Sequence, residues 1–194
     1  ALVMLLHSIL GTGTNTFAME AKKIPTLQSL MVEDEWAHVS SFPSLLRLLY
    51  GVELRKELRE NLHRLDNLEG IRLHRVIDNE RLVMSADEFW VGMNYQLIHL
   101  VDFLPVSNWR VHANDTAFIV FRDLYDLLVR AGKLEAKLDY EPATGPRKLT
   151  GEQMTIIGRL ATMIPVPVSE FMAAKSVNRF SQRIGHSMEY ELLW

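Results

Sequence analysis

Apolar residues recur at helical spacing through the middle and the end of the chain. After Ser85, apolar side chains return every three or four residues as far as Pro105, which predicts one long helix. Ser85 and Glu88 form a capping box at its start, because each side chain can bond the backbone amide of the other residue. A second helix follows the cap residue Asn114 and ends at Gly132.

Further helices are predicted on both sides of this pair. A leucine-rich stretch opens at Pro43, and leucines line one helical face within residues 54–65. Near the C-terminus, one helix begins at Thr150 and another runs over residues 169–185. Strand signals are few, since residues 71–77 alternate only partly and lie beside strong helix punctuation. We therefore predict an all-α fold, an irregular bundle of about six to eight helices with a C-terminal helical hairpin.

The pattern divides the chain into four predicted parts. Residues 1–24 form an apolar N-terminal arm, and residues 25–139 form the main helical bundle. Residues 140–149 contain two prolines and a glycine, which is typical of a linker. Residues 150–194 form the helical hairpin.

The arm begins with ten mostly apolar residues, ALVMLLHSIL. This run is too short to span a bilayer, which needs about 20 apolar residues. It resembles part of a secretory signal with small residues near Ala18, but no basic stretch precedes it. We expect the arm to dock on the bundle or on another chain. The predicted assembly contacts are Leu2, Leu5, Leu6 and Ile9.

Composition excludes several classes of protein. Hydrophobic residues make up 48% of the 194 residues and charged residues 23%, which is ordinary globular usage. Cysteine is absent, so disulfide scaffolds, thiolate metal sites and cysteine nucleophiles are excluded. The net charge of −3 does not suit a protein that coats a polyanion with its whole surface. Charged residues interrupt each of the remaining apolar runs before it reaches membrane length. We therefore expect a soluble or peripheral subunit, with an intracellular location favoured.

Two Glu-x-x-His motifs are weak candidates for metal ligands. They are Glu35 with His38 and Glu60 with His63. Di-iron helical bundles use this spacing twice, together with a further glutamate from each of two other helices. The sequence offers no clear source for those glutamates, and Glu60 and His63 lie in a strongly charged stretch typical of a solvated face. We therefore predict no metal and no other cofactor.

The C-terminal quarter carries a basic strip. Residues 143–187 hold six basic and two acidic residues, so the rest of the chain is the more acidic part. Lys175, Arg179 and Arg183 are four residues apart, which places them along one face of the last helix. Arg147 and Lys148 join them if the preceding loop folds back.

Two interpretations of this strip remain open. It is either a solvated face whose cations complement the end of the helix, or a docking strip for an anionic partner. That partner is RNA, an acidic protein surface or the acidic remainder of a second copy. Base-stacking aromatic residues do not interleave with the cations, which weakens the case for nucleic acid.

The favoured function is a structural or interaction subunit of a larger homo- or hetero-oligomeric assembly. It would pack through apolar helical faces and the N-terminal arm, and no catalytic constellation suggests an enzyme. One alternative is a viral coat or nucleoprotein-type shell protein that contacts RNA through the basic C-terminal helix. Another is a metal-dependent helical-bundle enzyme built on the two Glu-x-x-His motifs.

Overall fold

A computed structural model describes residues 2–11, 19–103, 116–138 and 164–194, and these are mostly helical. The α-helices in chain order are α1 Leu2–Leu6, α2 Ile24–Ser29, α3 Glu33–Tyr50, α4 Glu53–Glu60, α5 Ala86–Phe103, α6 Thr116–Arg130 and α7 Val166–Ile184. Two short 3-10 helices are Ala21–Lys23 and Leu62–Asn67. Within the described ranges, no helix combines the length and the apolar composition that crossing a bilayer requires.

A small antiparallel sheet corrects the all-α prediction. It consists of β1 Gly70–His74, β2 Arg81–Ser85 and β3 Glu191–Leu193, in the order β2-β1-β3. Ile71 and Leu73 of β1 point into the core, so the partial alternation of this stretch is that of a half-buried strand. The helical class therefore holds for most of the chain, and the strands make it only approximately all-α.

The core lies where α3 and α5 pack against β1 and α6 packs against α5 and α3. Its fully buried side chains include Leu45, Leu49, Phe89 and Phe121. The structure also corrects the predicted helix start at Pro43, because α3 runs unbroken through this proline. Proline removes only one helical hydrogen bond, and the burial of α3 along most of its length offsets that loss.

Several predicted helix ends are confirmed. The amide and hydroxyl of Ser85 donate to the Glu88 carboxylate over 2.7 and 2.8 Å, and the Glu88 amide lies 3.3 Å from the Ser85 hydroxyl. Gly132 follows α6 with a φ of 66°, and Gly185 follows α7 with a φ of 74°, the left-handed backbone that glycine adopts most readily. The predicted cap Asn114, the helix start at Thr150 and the linker 140–149 lie outside the described residues.

The C-terminal elements pack on the same body as the rest. Helix α7 contacts both α3 and α6, and β3 pairs with β1 through the register Gly70 to Leu193 and Arg72 to Glu191. The ring nitrogen Nε2 of His186, just after α7, lies 2.9 Å from the backbone oxygen of His74. The last helix is therefore held to the protein at its far end by the sheet.

Candidate docking surface on the last helix

Helix α7 begins and ends at residues that favour those positions. Pro167 lies in its first turn, where the missing amide hydrogen of proline removes no hydrogen bond within the helix. Its inward side is built from Ser169, Val177, Phe180 and Ser181, all of which are buried. The helix therefore has one side fixed against the body and one side free to face outward.

Arg47 of α3 anchors the inward side. Its guanidinium donates to the Ser181 hydroxyl over 3.0 Å and lies 5.0 Å from the centre of the Phe180 ring. Burial lowers the pKa of Arg47 to about 10, because a low-dielectric environment disfavours the charged form. The group is still positively charged at neutral pH, so α7 sits against a cation on its inner side.

A second anchor holds the first half of α7. Arg55 of α4 is buried, and it donates to the carboxylates of Asp123 and Glu170 and to the backbone oxygen of Leu49. Arg55 belongs to the charged stretch around Glu60 that was predicted to be a solvated face, and for Arg55 that interpretation is wrong because its side chain is buried. Alternating charges on α4 resemble a surface helix, and nothing in the local pattern shows that acids from α6 and α7 converge on it.

An open cleft of about 910 Å³ lies beside this ion-pair network. Arg55 and Arg59 in its wall are both paired with acids, since Arg59 donates to Asp123 and, over 2.7 Å, to Asp126. Because these cations already have carboxylate partners, they are poorly placed to hold an anionic ligand. The network joins α4, α6 and α7, which is a structural role.

The predicted cations lie together on the outward side of α7. Lys175, Arg179 and Arg183 are all exposed, and none makes an ion pair with any residue that the structure describes. The Arg183 guanidinium lies 4.7 Å from the centre of the Phe180 ring, and the Lys175 ammonium lies 6.0 Å from that of Phe171. Arg147 and Lys148, predicted to join this strip, lie outside the described residues.

Apolar side chains continue the same line toward the start of the helix. Phe171 is 66% exposed and Met172 is 58% exposed, and Val168 beside them is also exposed. At 100° per residue, Phe171 lies about 120° around the helix from Val177 but only about 40° from Lys175, a spacing that sequence reasoning could have used.

We call this surface the outer face of α7. It consists of Val168, Phe171, Met172, Lys175, Arg179 and Arg183. An exposed aromatic ring thus lies at the end of the line of cations, next to Lys175. Aromatic residues, methionine and arginine are the residue types that protein interfaces prefer.

The predicted assembly contacts of the N-terminal arm have different surroundings. Leu5 is 76% exposed, whereas Leu2, Leu6 and Ile9 are half-buried. Val3 and Leu10 of the same segment are buried in a small cluster with Trp36 and Val39 of α3, and Leu6 and Ile9 pack against it. Within one chain, residues 2–11 therefore already have a docking site on α3.

The four weak metal candidates are spread over three elements. Glu35 and His38 are near the start of α3, Glu60 ends α4, and His63 is exposed in the following 3-10 helix. Burial lowers the pKa of His38, and its Nδ1 has no hydrogen-bond partner within the described ranges. In the part of the chain that the structure describes, no three His, Asp or Glu side chains come together as a metal site.

Comparison with known protein families, with curated proteins and with solved structures finds no match to this chain. The function is therefore inferred from the surfaces of this molecule.

Proposed function

We propose that this protein is an interaction subunit of a larger assembly and that it binds another protein through the outer face of α7. The observation that supports the proposal is the exposure of Phe171 and Met172 in line with the three cations. Burying a side chain of this size is worth about 1.5–3 kcal/mol, so leaving both in water forgoes a substantial stabilisation.

The chemistry of the outer face favours a protein over RNA. Val168 and Met172 flank Phe171, and aliphatic and thioether groups gain more from an apolar protein surface than from stacked bases. The cations are three in number and follow a single helical line, which is a small footprint for phosphate binding. RNA is therefore the less favoured partner, and the experiment below distinguishes it from a protein.

The test uses the native complex of this chain, isolated from the cells that produce it. The tagged protein is isolated and sized by light scattering, and a photo-reactive residue replaces Lys175 to mark what touches the outer face. We expect a complex of defined mass and a cross-link to a protein chain. Changing Phe171→Gln together with Met172→Gln should reduce the recovered complex about tenfold, which corresponds to about 1.4 kcal/mol.

A matched control separates this effect from a general loss of apolar surface. Val83 on β2 is 62% exposed and lies on another element, so Val83→Gln should leave the complex unchanged. If the Phe171 and Met172 variant assembles as the parent does, the proposed function is wrong. A cross-link to nucleic acid would instead support the RNA alternative.

A further inference from the structure

A second exposed surface, at the start of α3, has the opposite charge to the outer face of α7. Leu30 is 74% exposed and Val32 is 64% exposed, and they are followed by the exposed acids Glu33 and Asp34. These acids make no ion pair with any described residue, and no lysine or arginine occurs in residues 24–46. We call Leu30, Val32, Glu33 and Asp34 the acidic patch.

The two surfaces are matched in kind. Each places exposed apolar side chains directly beside charges that lack a partner within the described ranges, and the charges are of opposite sign. Such a pair can bury its apolar groups against each other while the carboxylates meet the cations at the rim. Complementary charges of this kind also speed association and select the partner.

The two surfaces lie apart on one chain. Arg47, at the C-terminal end of α3, is the residue that touches Ser181 of α7. Asp34 lies thirteen residues earlier on the same helix, about 20 Å away along its axis. Because the buried side of α7 is the one that faces α3, its outer face points away from the acidic patch of its own chain.

We infer that the outer face of α7 binds the acidic patch of a second copy of this chain. The inference rests on the proposed function and names its partner. A neighbouring segment of the same chain, residues 139–163, holds three acidic and three basic residues, so it offers no net charge to match the cations. The start of α3 has acids only.

A contact of this kind joins two different surfaces. Each copy that is bound through its outer face still has a free acidic patch, so assembly continues into a ring or an open chain. It also weakens with salt, because exposed charges are screened beyond about 8 Å at physiological ionic strength.

The test uses two variants of the purified chain, each with one surface reversed. The first carries Lys175→Glu, Arg179→Glu and Arg183→Glu, and the second carries Glu33→Lys and Asp34→Lys. Sedimentation should show the parent chain growing beyond two copies with concentration, and each variant alone should associate at least tenfold more weakly. An equimolar mixture should regain growth beyond two copies, because the reversed outer face of the first variant matches the reversed patch of the second and their two unreversed surfaces also match.

Controls keep the result interpretable. Reversing three exposed cations elsewhere, Lys56→Glu, Arg81→Glu and Lys137→Glu, should leave association unchanged. Circular dichroism checks that each variant folds. The milder pair Glu33→Gln and Asp34→Asn replaces the second variant if reversal disturbs the start of α3, and it should likewise weaken association of the pure chain.

Three outcomes would overturn the inference. The first is a parent chain that sediments as a single copy at every concentration, and the second is acidic-patch variants that associate as the parent does. The third is an α7 variant whose melting temperature changes while its mass does not, which would mean that the outer face makes contacts within its own chain. The first two outcomes leave the proposed function standing if the native complex still depends on Phe171 and Met172, so the two failures are distinguishable.

Discussion

His186 connects the end of α7 to the sheet, and we expect it to make the protein lose stability in mild acid. Its side chain is buried, and the N–H at Nε2 donates to the backbone oxygen of His74 over 2.9 Å. Its Nδ1 has no hydrogen-bond partner among the described residues. The pKa of His186 is lowered to about 4, chiefly by burial; the hydrogen bond to the His74 oxygen raises it in part, and the nearby positive charge of Arg47 adds to the lowering.

The direction of the effect follows from proton uptake. The pKa of this ring is 6.5 in an exposed chain and about 4 in the folded protein. Between these two values the unfolded chain holds the proton and the folded chain does not, so stability falls as the pH falls through that window. Each unit of pKa difference is worth about 1.4 kcal/mol, which gives a loss of about 2.5 kcal/mol by about pH 4.5.

Urea unfolding of the parent chain and of His186→Gln measures this term. The variant should be less stable at neutral pH because it loses packing, but its free energy of unfolding should depend less on pH. Between about pH 7 and pH 4.5, the parent should lose about 2.5 kcal/mol more than the variant. His99, whose pKa burial also lowers to about 4, is present in both proteins and cancels in the comparison. Equal losses in the two proteins would refute the argument.

Three other substitutions test the contacts that hold the fold. Arg55→Met should destabilise by about 1–3 kcal/mol in urea unfolding, because it breaks the ion pairs with Asp123 and Glu170 and only Asp123 keeps a second partner, Arg59. Asn94 accepts from the backbone amides of residues 135 and 136 and donates to the carbonyl of residue 133. Asn94→Leu should therefore lower the free energy of unfolding by about 1–3 kcal/mol and speed hydrogen exchange at the amides of residues 135 and 136. Gly70→Ala should lower the free energy of unfolding by about 3 kcal/mol, measured by thermal unfolding, because the new Cβ would lie 2.1 Å from the backbone oxygen of Met84. An unchanged midpoint for any of them would contradict the contact concerned.

The sequence predicted the features of this fold that are set locally. The capping box at Ser85 and the glycines that end α6 and α7 depend on residues within one or two turns of each other. Such signals depend little on what the helix packs against, because they satisfy backbone groups at its own ends. Helix positions were therefore predictable wherever a cap was present.

The sheet was missed because its strands are short and depend on distant partners. Strand β3 has three residues, too few for an alternating pattern, and it pairs with β1 more than a hundred residues earlier in the chain. The buried ion pair of Arg55 with Asp123 joins residues 68 positions apart in the same way. Interactions of this range are decided by packing, and a local pattern of charges or apolar residues does not contain them.

On the outer face of α7, the line of cations was predictable from the sequence, but the exposed apolar residues next to it were not. Lys175, Arg179 and Arg183 are outward because a cation is rarely buried without a partner, so spacing alone placed them together. Phe171 carries no such constraint, and an apolar residue is assigned to the core unless its angle around the helix is worked out. Since Val177 and Phe180 fix the inner side of the helix, the outer residues contribute little to stability. A change of assembly in their variants can therefore be assigned to the lost contact rather than to unfolding.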